Sequence, residues 1–288
     1  MGLRKKIRNQ LRILKGHAWP LRALLASDRQ ALTKSLYQPE VQKKMFFVLG
    51  SGRSGTQLLS TLFERAGVAA FHEPNFHEDI LTMDTFRRDA EKCRDYWRRF
   101  RAREVARRWK KAGAEYYCEV NGTIRYHAPA IRALFPHSPL FLFARDGRGV
   151  VRSIMGWKHF YGPHSKGAYA LSPLPGDPFL ERWEHMSRFE KICWGWRESN
   201  EFIMAHVPPR QWLRLEDIVR DYDLFRERCL DVIGLDIPEV TWREAVSQKS
   251  RNASKQYAFP AWEEWTQKQK EAFVEICGET MEKLGYRI

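Results

Sequence analysis

The sequence predicts an α/β fold: a central, mainly parallel sheet covered by helices on both faces, in three α/β/α layers. Three observations carry that expectation. Met45-Phe46-Phe47-Val48-Leu49 and Leu140-Phe141-Leu142-Phe143-Ala144 are short continuous apolar runs, the pattern of strands buried on both sides. Each runs into a glycine-containing turn and then a helical apolar repeat. Further strand-like and helix-like runs alternate to the end of the chain, as parallel pairing requires.

The 288 residues, 43% of them hydrophobic, suffice for one large domain. No linker divides them, so the reading is one domain over 45–288 behind a basic extension over 1–44. The extension has no acidic residue before Asp28, and Leu3, Ile7, Leu11 and Leu14 share one helical face. It is expected to be helical. It reads as a helix packed on the domain or a frayed tail, as a peripheral membrane contact on anionic lipid through residues 1–30, or as an arginine-rich targeting segment. No transmembrane helix or secretory signal is expected, because no stretch approaches about 18 uninterrupted apolar residues. Lys6 stands where a myristoylation signal needs Ser or Thr. Five scattered cysteines without a C-x-x-C pair indicate neither zinc nor a disulfide framework. A cytoplasmic, reducing setting is expected, with membrane association left open. The net charge of +14 suggests anionic partners.

The first strand leads into Gly50-Ser51-Gly52-Arg53-Ser54-Gly55-Thr56, and from Gln57 the pattern is helical, with Leu58, Leu59, Leu62 and Phe63 on one side. Strand, glycine loop and helix N-terminus converge free N–H groups and the helix dipole on one point, which suits an anion. A nucleoside triphosphatase loop would place lysine at Thr56. The cation here is Arg53, inside the loop, which points to a single phosphate held without metal.

A strand is expected over Gly67–Phe71, ending in His72-Glu73-Pro74. A carboxylate there is placed for chemistry, since ligands of open α/β sheets sit at the carboxyl ends of strands. One charged helix is expected over 84–111, its arginines interleaved with Tyr96, Trp97, Phe100 and Trp109, either as an acceptor-binding surface or as a solvated face. Then come a strand over Tyr116–Val120, a helix over Ala128–Phe135, the second strong strand, and a helix over Val150–Trp157 carrying Arg152 behind Arg145 and Arg148. Residues 161–179 read as a long loop of the kind that forms lids. A helix over Phe189–Ala205, a strand over Gln211–Leu215, a helix over Tyr222–Ile233, an irregular stretch over 249–259 and a helix over Trp262–Leu284 complete the chain.

Two of these segments carry a resemblance. Residues 46–56 resemble the 5′-phosphosulfate loop of the sulfotransferases that use 3′-phosphoadenosine 5′-phosphosulfate. Residues 142–153 are similar to their 3′-phosphate segment, where an arginine is followed eight residues later by a serine, as Arg145 is by Ser153. Leu213–Ile218 and the Trp262-to-Tyr286 stretch also fit, so the resemblance covers about residues 45–286. In motif style the chain is nearest the glycan-modifying, protein-tyrosine-modifying and bacterial branches. The resemblance implies a P-loop-like nucleotide-binding architecture. It implies transfer of a sulfuryl group to a hydroxyl or amine acceptor, with adenosine 3′,5′-bisphosphate as product and no metal.

The same resemblance implies residue roles. Gly52, Arg53, Ser54, Gly55, Thr56 and Gln57 would cradle the 5′-phosphate, with Arg53 neutralising the leaving group. Arg145 and Ser153 would grip the 3′-phosphate. Arg251 and Lys255 fall where a late basic loop reaches the nucleotide, although no Arg-Lys-Gly triplet is present. Glu73, twenty residues after Arg53, matches the carboxylate general base. His127 is a second candidate base, as is the neighbouring His72. The acceptor is a hydroxyl compound, with a carbohydrate or lipid-linked molecule in view. The competing readings are a P-loop-type kinase, which would need lysine at position 56, and a basic nucleic-acid-binding protein, which leaves both glycine–arginine loops unexplained.

Overall fold

The structure is a computed structural model that describes residues 34–162, 165, 169–247 and 259–288. The expectations placed on residues 1–30 and on Arg251 and Lys255 lie outside the described residues. The fold is α/β, with one five-stranded sheet in the order β2-β3-β1-β4-β5, all pairs parallel. The strands are β1 (Met45–Leu49), β2 (Ala69–His72), β3 (Tyr117–Asn121), β4 (Leu140–Ala144) and β5 (Trp212–Arg214). β1 and β4 have the bounds their apolar runs predict, because both are entirely buried and glycine or an arginine turn follows each. β2 starts two residues later than expected, behind Gly67 in the left-handed region.

Each central strand feeds both faces of the sheet. Phe46 and Val48 of β1 join Phe141 and Phe143 of β4, while Phe47 and Leu49 join Leu140 and Leu142 on the opposite side. The first face is covered by α1 (Thr56–Arg65) and by Phe225, Leu230 and Trp242 from the region after β5. The second face is covered by α2 (Phe76–Arg88), α3 (Ala90–Tyr96), α4 (Ala102–Ala112), α5 (Ala128–Leu134), α6 (Gly147–Met155) and α7 (Arg188–Met204). Between β5 and the C-terminus lie α8 (Glu239–Val246) and α9 (Gln267–Lys283), the latter packed along α7. Ser187 with Glu190 and Thr266 with Gln269 form capping boxes that fix where α7 and α9 start. Among the described residues, no helix is long and apolar enough to cross a membrane.

The expected continuous helix over 84–111 is broken. α2 ends at Arg88, the Asp89 side chain caps α3 by accepting from the Lys92 N–H, and a π-helical turn, Trp97–Arg101, joins α3 to α4. Nor is the segment uniformly solvated. Arg101 is wholly buried. Its guanidinium donates to Asp79 Oδ1 at 3.0 Å and to Glu119 Oε2 at 2.6 Å, both carboxylates being equally buried. The Tyr117 hydroxyl donates to the other Glu119 oxygen at 2.6 Å. Burial pushes Asp79 up to about 6 against the pull of Arg101. Burial acts the same way on Glu119, but Arg101, Tyr117 and Arg108 outweigh it and hold that carboxyl below its usual range. Arg101 is therefore a structural ion, and its proposed place on an acceptor surface is corrected. Arg98 and Arg99 are exposed.

Candidate active site

A parallel sheet gathers the carboxyl ends of its strands along one edge. The chain leaves β1 toward β2 and leaves β4 toward β5, so a crevice opens where the connections diverge. A cavity of about 610 Å³ lies there, and every strand end reaches it. Ser51, Gly52, Arg53, Gly55, Thr56 and Gln57 come from the β1 loop; His72 and Glu73 come from β2. Gly122 and Thr123 follow β3, Arg145 follows β4 and Leu215 follows β5.

The β1 loop is shaped by its glycines. A Cβ at Gly50 would stand 2.6 Å from both the Phe143 carbonyl oxygen and Ser54 Oγ, so the loop closes onto β4 only with glycine there. Gly55 has φ +92° and precedes α1 without a side-chain cap; the Leu58 N–H turns back onto the Gly55 carbonyl at 2.9 Å, and the helix start meets the cavity at Thr56 and Gln57. Arg53 also has a positive φ, 70°. Ser51 Oγ and Ser54 Oγ are buried with no hydrogen-bond partner among the described residues. Ser51, on the cavity wall beside an uncapped helix start, fits an anion's oxygen atom, whereas Ser54 is buried within the loop and is not among the residues facing the cavity.

The arginines are held in position. Arg53 Nε donates to Ser153 Oγ at 2.9 Å, and its guanidinium lies 4.9 Å from the centre of the Trp157 ring. Arg145 Nη1 donates to the Arg53 carbonyl oxygen at 3.2 Å, while the Arg145 carbonyl accepts from Trp196 Nε1. The spacing of Arg145 and Ser153 thus has a structural meaning: from opposite ends of α6, one holds the loop's backbone and the other its guanidinium. Ser153 is buried behind Arg53 and is not among the residues facing the cavity. Arg148 folds back on Asp146, its Nη2 donating to Oδ2 at 2.6 Å, and Arg152 Nε donates to the Phe259 carbonyl.

Glu73 sits at the cavity wall with φ +46°, a conformation that costs a non-glycine residue energy and is concentrated at functional sites. Burial pushes its carboxyl above the usual range; the Gly122 N–H opposes this, the Asp79 charge adds to it, and Arg125 counters it. Gly122 approaches closely: a Cβ there would lie 3.4 Å from Glu73 Oε1 and 3.3 Å from the Gly50 carbonyl oxygen. Behind it, Asn121 Oδ1 accepts from the Thr123 N–H at 2.9 Å and from Thr123 Oγ1 at 2.7 Å. Asn121 Nδ2 and Thr123 Oγ1 each lie 3.4 Å from Asp79 Oδ2, so the buried Asp79–Arg101–Glu119 cluster reaches the turn that carries Gly122. His72 Nε2 lies 2.9 Å from Thr56 Oγ1, and burial lowers its pKa, so the ring is neutral at neutral pH.

His127 is elsewhere. Its side chain is fully buried, its Nδ1 accepts from Trp97 Nε1 at 3.1 Å, and its ring packs against Phe86 and Tyr96. It does not line the cavity. The candidate base at 127 is corrected to a core residue, kept neutral by burial with the nearby Arg101 charge acting the same way. Two cavity residues escaped sequence reasoning. Arg125 Nη1 donates to the Gly122 carbonyl at 2.7 Å and lies over the Tyr126 ring. Glu198 accepts from Arg87 Nε at 2.7 Å and from the Tyr126 hydroxyl. Arg125 follows a strand end and could have been flagged on that ground; Glu198, in mid-helix, gives no such signal.

Fold and cavity together define an α/β protein with an arginine-bearing crevice at the carboxyl edge of a parallel sheet. No protein-family model matches the chain, and no curated protein matches it either. The reading of its activity rests on the chemistry of the crevice.

Proposed function

We propose that the protein is a sulfotransferase that moves the sulfuryl group of 3′-phosphoadenosine 5′-phosphosulfate to a hydroxyl acceptor. The observation that carries this reading is the meeting of three segments far apart in sequence on one cavity: the Arg53 loop, Arg145 and the half-buried, strained Glu73. The loop's N–H groups, Ser51 and Arg53 bind the 5′-phosphate, and Arg145 supplies a fork suited to the second phosphate. Thr56 in place of lysine argues against a triphosphate donor.

The acceptor oxygen attacks sulfur in line. The new O–S bond forms as the S–O bond to the 5′-phosphate breaks, the electron pair leaves on adenosine 3′,5′-bisphosphate, and the acceptor's proton passes to Glu73. Charge building on the leaving phosphate meets Arg53, which Ser153 and Trp157 already hold in place. Burial raises the basicity of Glu73 toward working pH, as a general base requires. The test is Glu73→Gln. Turnover falls by about 10²–10⁴-fold while bisphosphate binding is kept. A variant retaining more than about a tenth of wild-type turnover would remove Glu73 from that role.

A further inference from the structure

Three arginines and two glutamates are among the described lining residues: Arg53, Arg125 and Arg145 with Glu73 and Glu198. Arg53 and Arg145 belong to the proposed phosphate sites, and the remaining charges balance one another. Arg125 is engaged by the Gly122 carbonyl and the Tyr126 ring. Glu198 spends both oxygens on Arg87 and the Tyr126 hydroxyl. Arg87 donates besides to the Ser172 carbonyl at 2.7 Å and lies over the Trp194 ring. Arg125 on the wall and Arg87 buried behind Glu198 thus balance the two carboxylates, with no excess charge to receive a polyanion.

What surrounds these groups is apolar. Phe76, Ile80 and Met83 come from α2, directly after Glu73; Leu171, Tyr161 and Trp194 line the same cavity. Met83 and Leu171 are almost wholly buried, so this wall is a continuation of the core and not a rim. Burial raises the Tyr169 pKa, and the nearby Glu73 charge acts the same way.

Building on the proposed transfer reaction, we infer that the acceptor is an uncharged alcohol or phenol whose body beside the hydroxyl is apolar, and not an anionic glycan. A charged body would be stripped of water against Phe76, Ile80 and Met83 without a counter-ion. An apolar one gains by the same burial. The step is the one already written: the hydroxyl of this acceptor forms the O–S bond, the bisphosphate takes the electron pair, and Glu73 takes the proton.

The experiment has two stages on the full chain. Calorimetry with adenosine 3′,5′-bisphosphate comes first; no binding would overturn the transfer reading and this inference with it. The bisphosphate-saturated protein is then titrated calorimetrically with 2-naphthol and, separately, with fully N-desulfated heparin, and turnover is measured in parallel on protein free of bisphosphate, supplied with 3′-phosphoadenosine 5′-phosphosulfate and each acceptor. The expected result is saturable 2-naphthol binding and turnover, with desulfated heparin inert. Ile80→Glu, and Phe76→Ser as a second variant, weaken 2-naphthol by about tenfold or more, the scale of one desolvated charge or lost aromatic wall. Ile80→Leu restores it, and all three keep wild-type bisphosphate affinity. Preference for desulfated heparin, absence of 2-naphthol binding to the bisphosphate complex, or indifference of 2-naphthol to both Ile80→Glu and Phe76→Ser would overturn the inference while leaving the transfer reading standing.

Discussion

Replacing Arg101 with methionine isolates the charge at the centre of the second core layer. The guanidinium touches Asp79 at 3.0 Å and Glu119 at 2.6 Å, and all three side chains have no exposure. Methionine keeps most of the stem's volume and removes the charge, so two buried carboxylates lose their shared cation. Breaking a buried ion pair from one side costs about 3–5 kcal/mol. At roughly 2–3 °C per kcal/mol for a chain of this size, Tm falls by about 6–15 °C at pH 7.5. The deficit depends on pH in a defined direction. Without Arg101 both folded-state carboxyl pKa values rise, so the fold is penalised increasingly as pH climbs through them and least near their unfolded values. Asp79, already at about 6 in the intact protein, is mostly protonated at pH 5, so the deficit there is smaller. Thermal unfolding followed by circular dichroism at both pH values reads the effect. A Tm within 2 °C of wild type at pH 7.5, or a larger deficit at pH 5, would refute the ionic account of this cluster.

Glu73→Gln also has a stability signature: burial raises the folded pKa of this carboxyl, so ionising it above that value costs stability that glutamine does not lose. The variant should melt above wild type at pH 8 and match it near pH 4, as calorimetric scans at the two pH values will show. Arg98→Ser with Arg99→Ser, both exposed and neither at the cavity, should leave stability within about 0.5 kcal/mol and acceptor KM unchanged. A raised KM would return the basic helices to acceptor recognition.

Much of the layout was legible in sequence because apolar runs bounded by glycine admit one reading. β1 and β4 are buried on both faces, and their bounds fall where the runs end. The loop with Arg53 and the carboxylate of Glu73 could be placed from the same logic, since both follow strands. The basic segment could not. Arginine at position 101 looks like its neighbours at 98 and 99, and its partners lie 22 residues upstream and 18 downstream. Nothing local marks a side chain whose counter-ions come from another helix and a strand. His127 failed for the same reason in reverse: a polar residue near the right strand end, turned inward by Trp97 and two aromatic neighbours.

The central claim is that two phosphate sites, built on Arg53 and Arg145, accept a nucleotide without metal. Titration calorimetry in EDTA, with adenosine 3′,5′-bisphosphate and adenosine 5′-monophosphate in parallel on wild type and Arg145→Ala, tests it directly. The account predicts that the bisphosphate binds wild type more tightly than the monophosphate by about 10- to 150-fold, the worth of one charge-assisted contact of about 1.5–3 kcal/mol. Arg145→Ala should erase that advantage, and added Mg²⁺ should change neither value. Equal affinity for the two nucleotides, an advantage that survives Arg145→Ala, or tight binding of ATP that appears only with Mg²⁺ would contradict it.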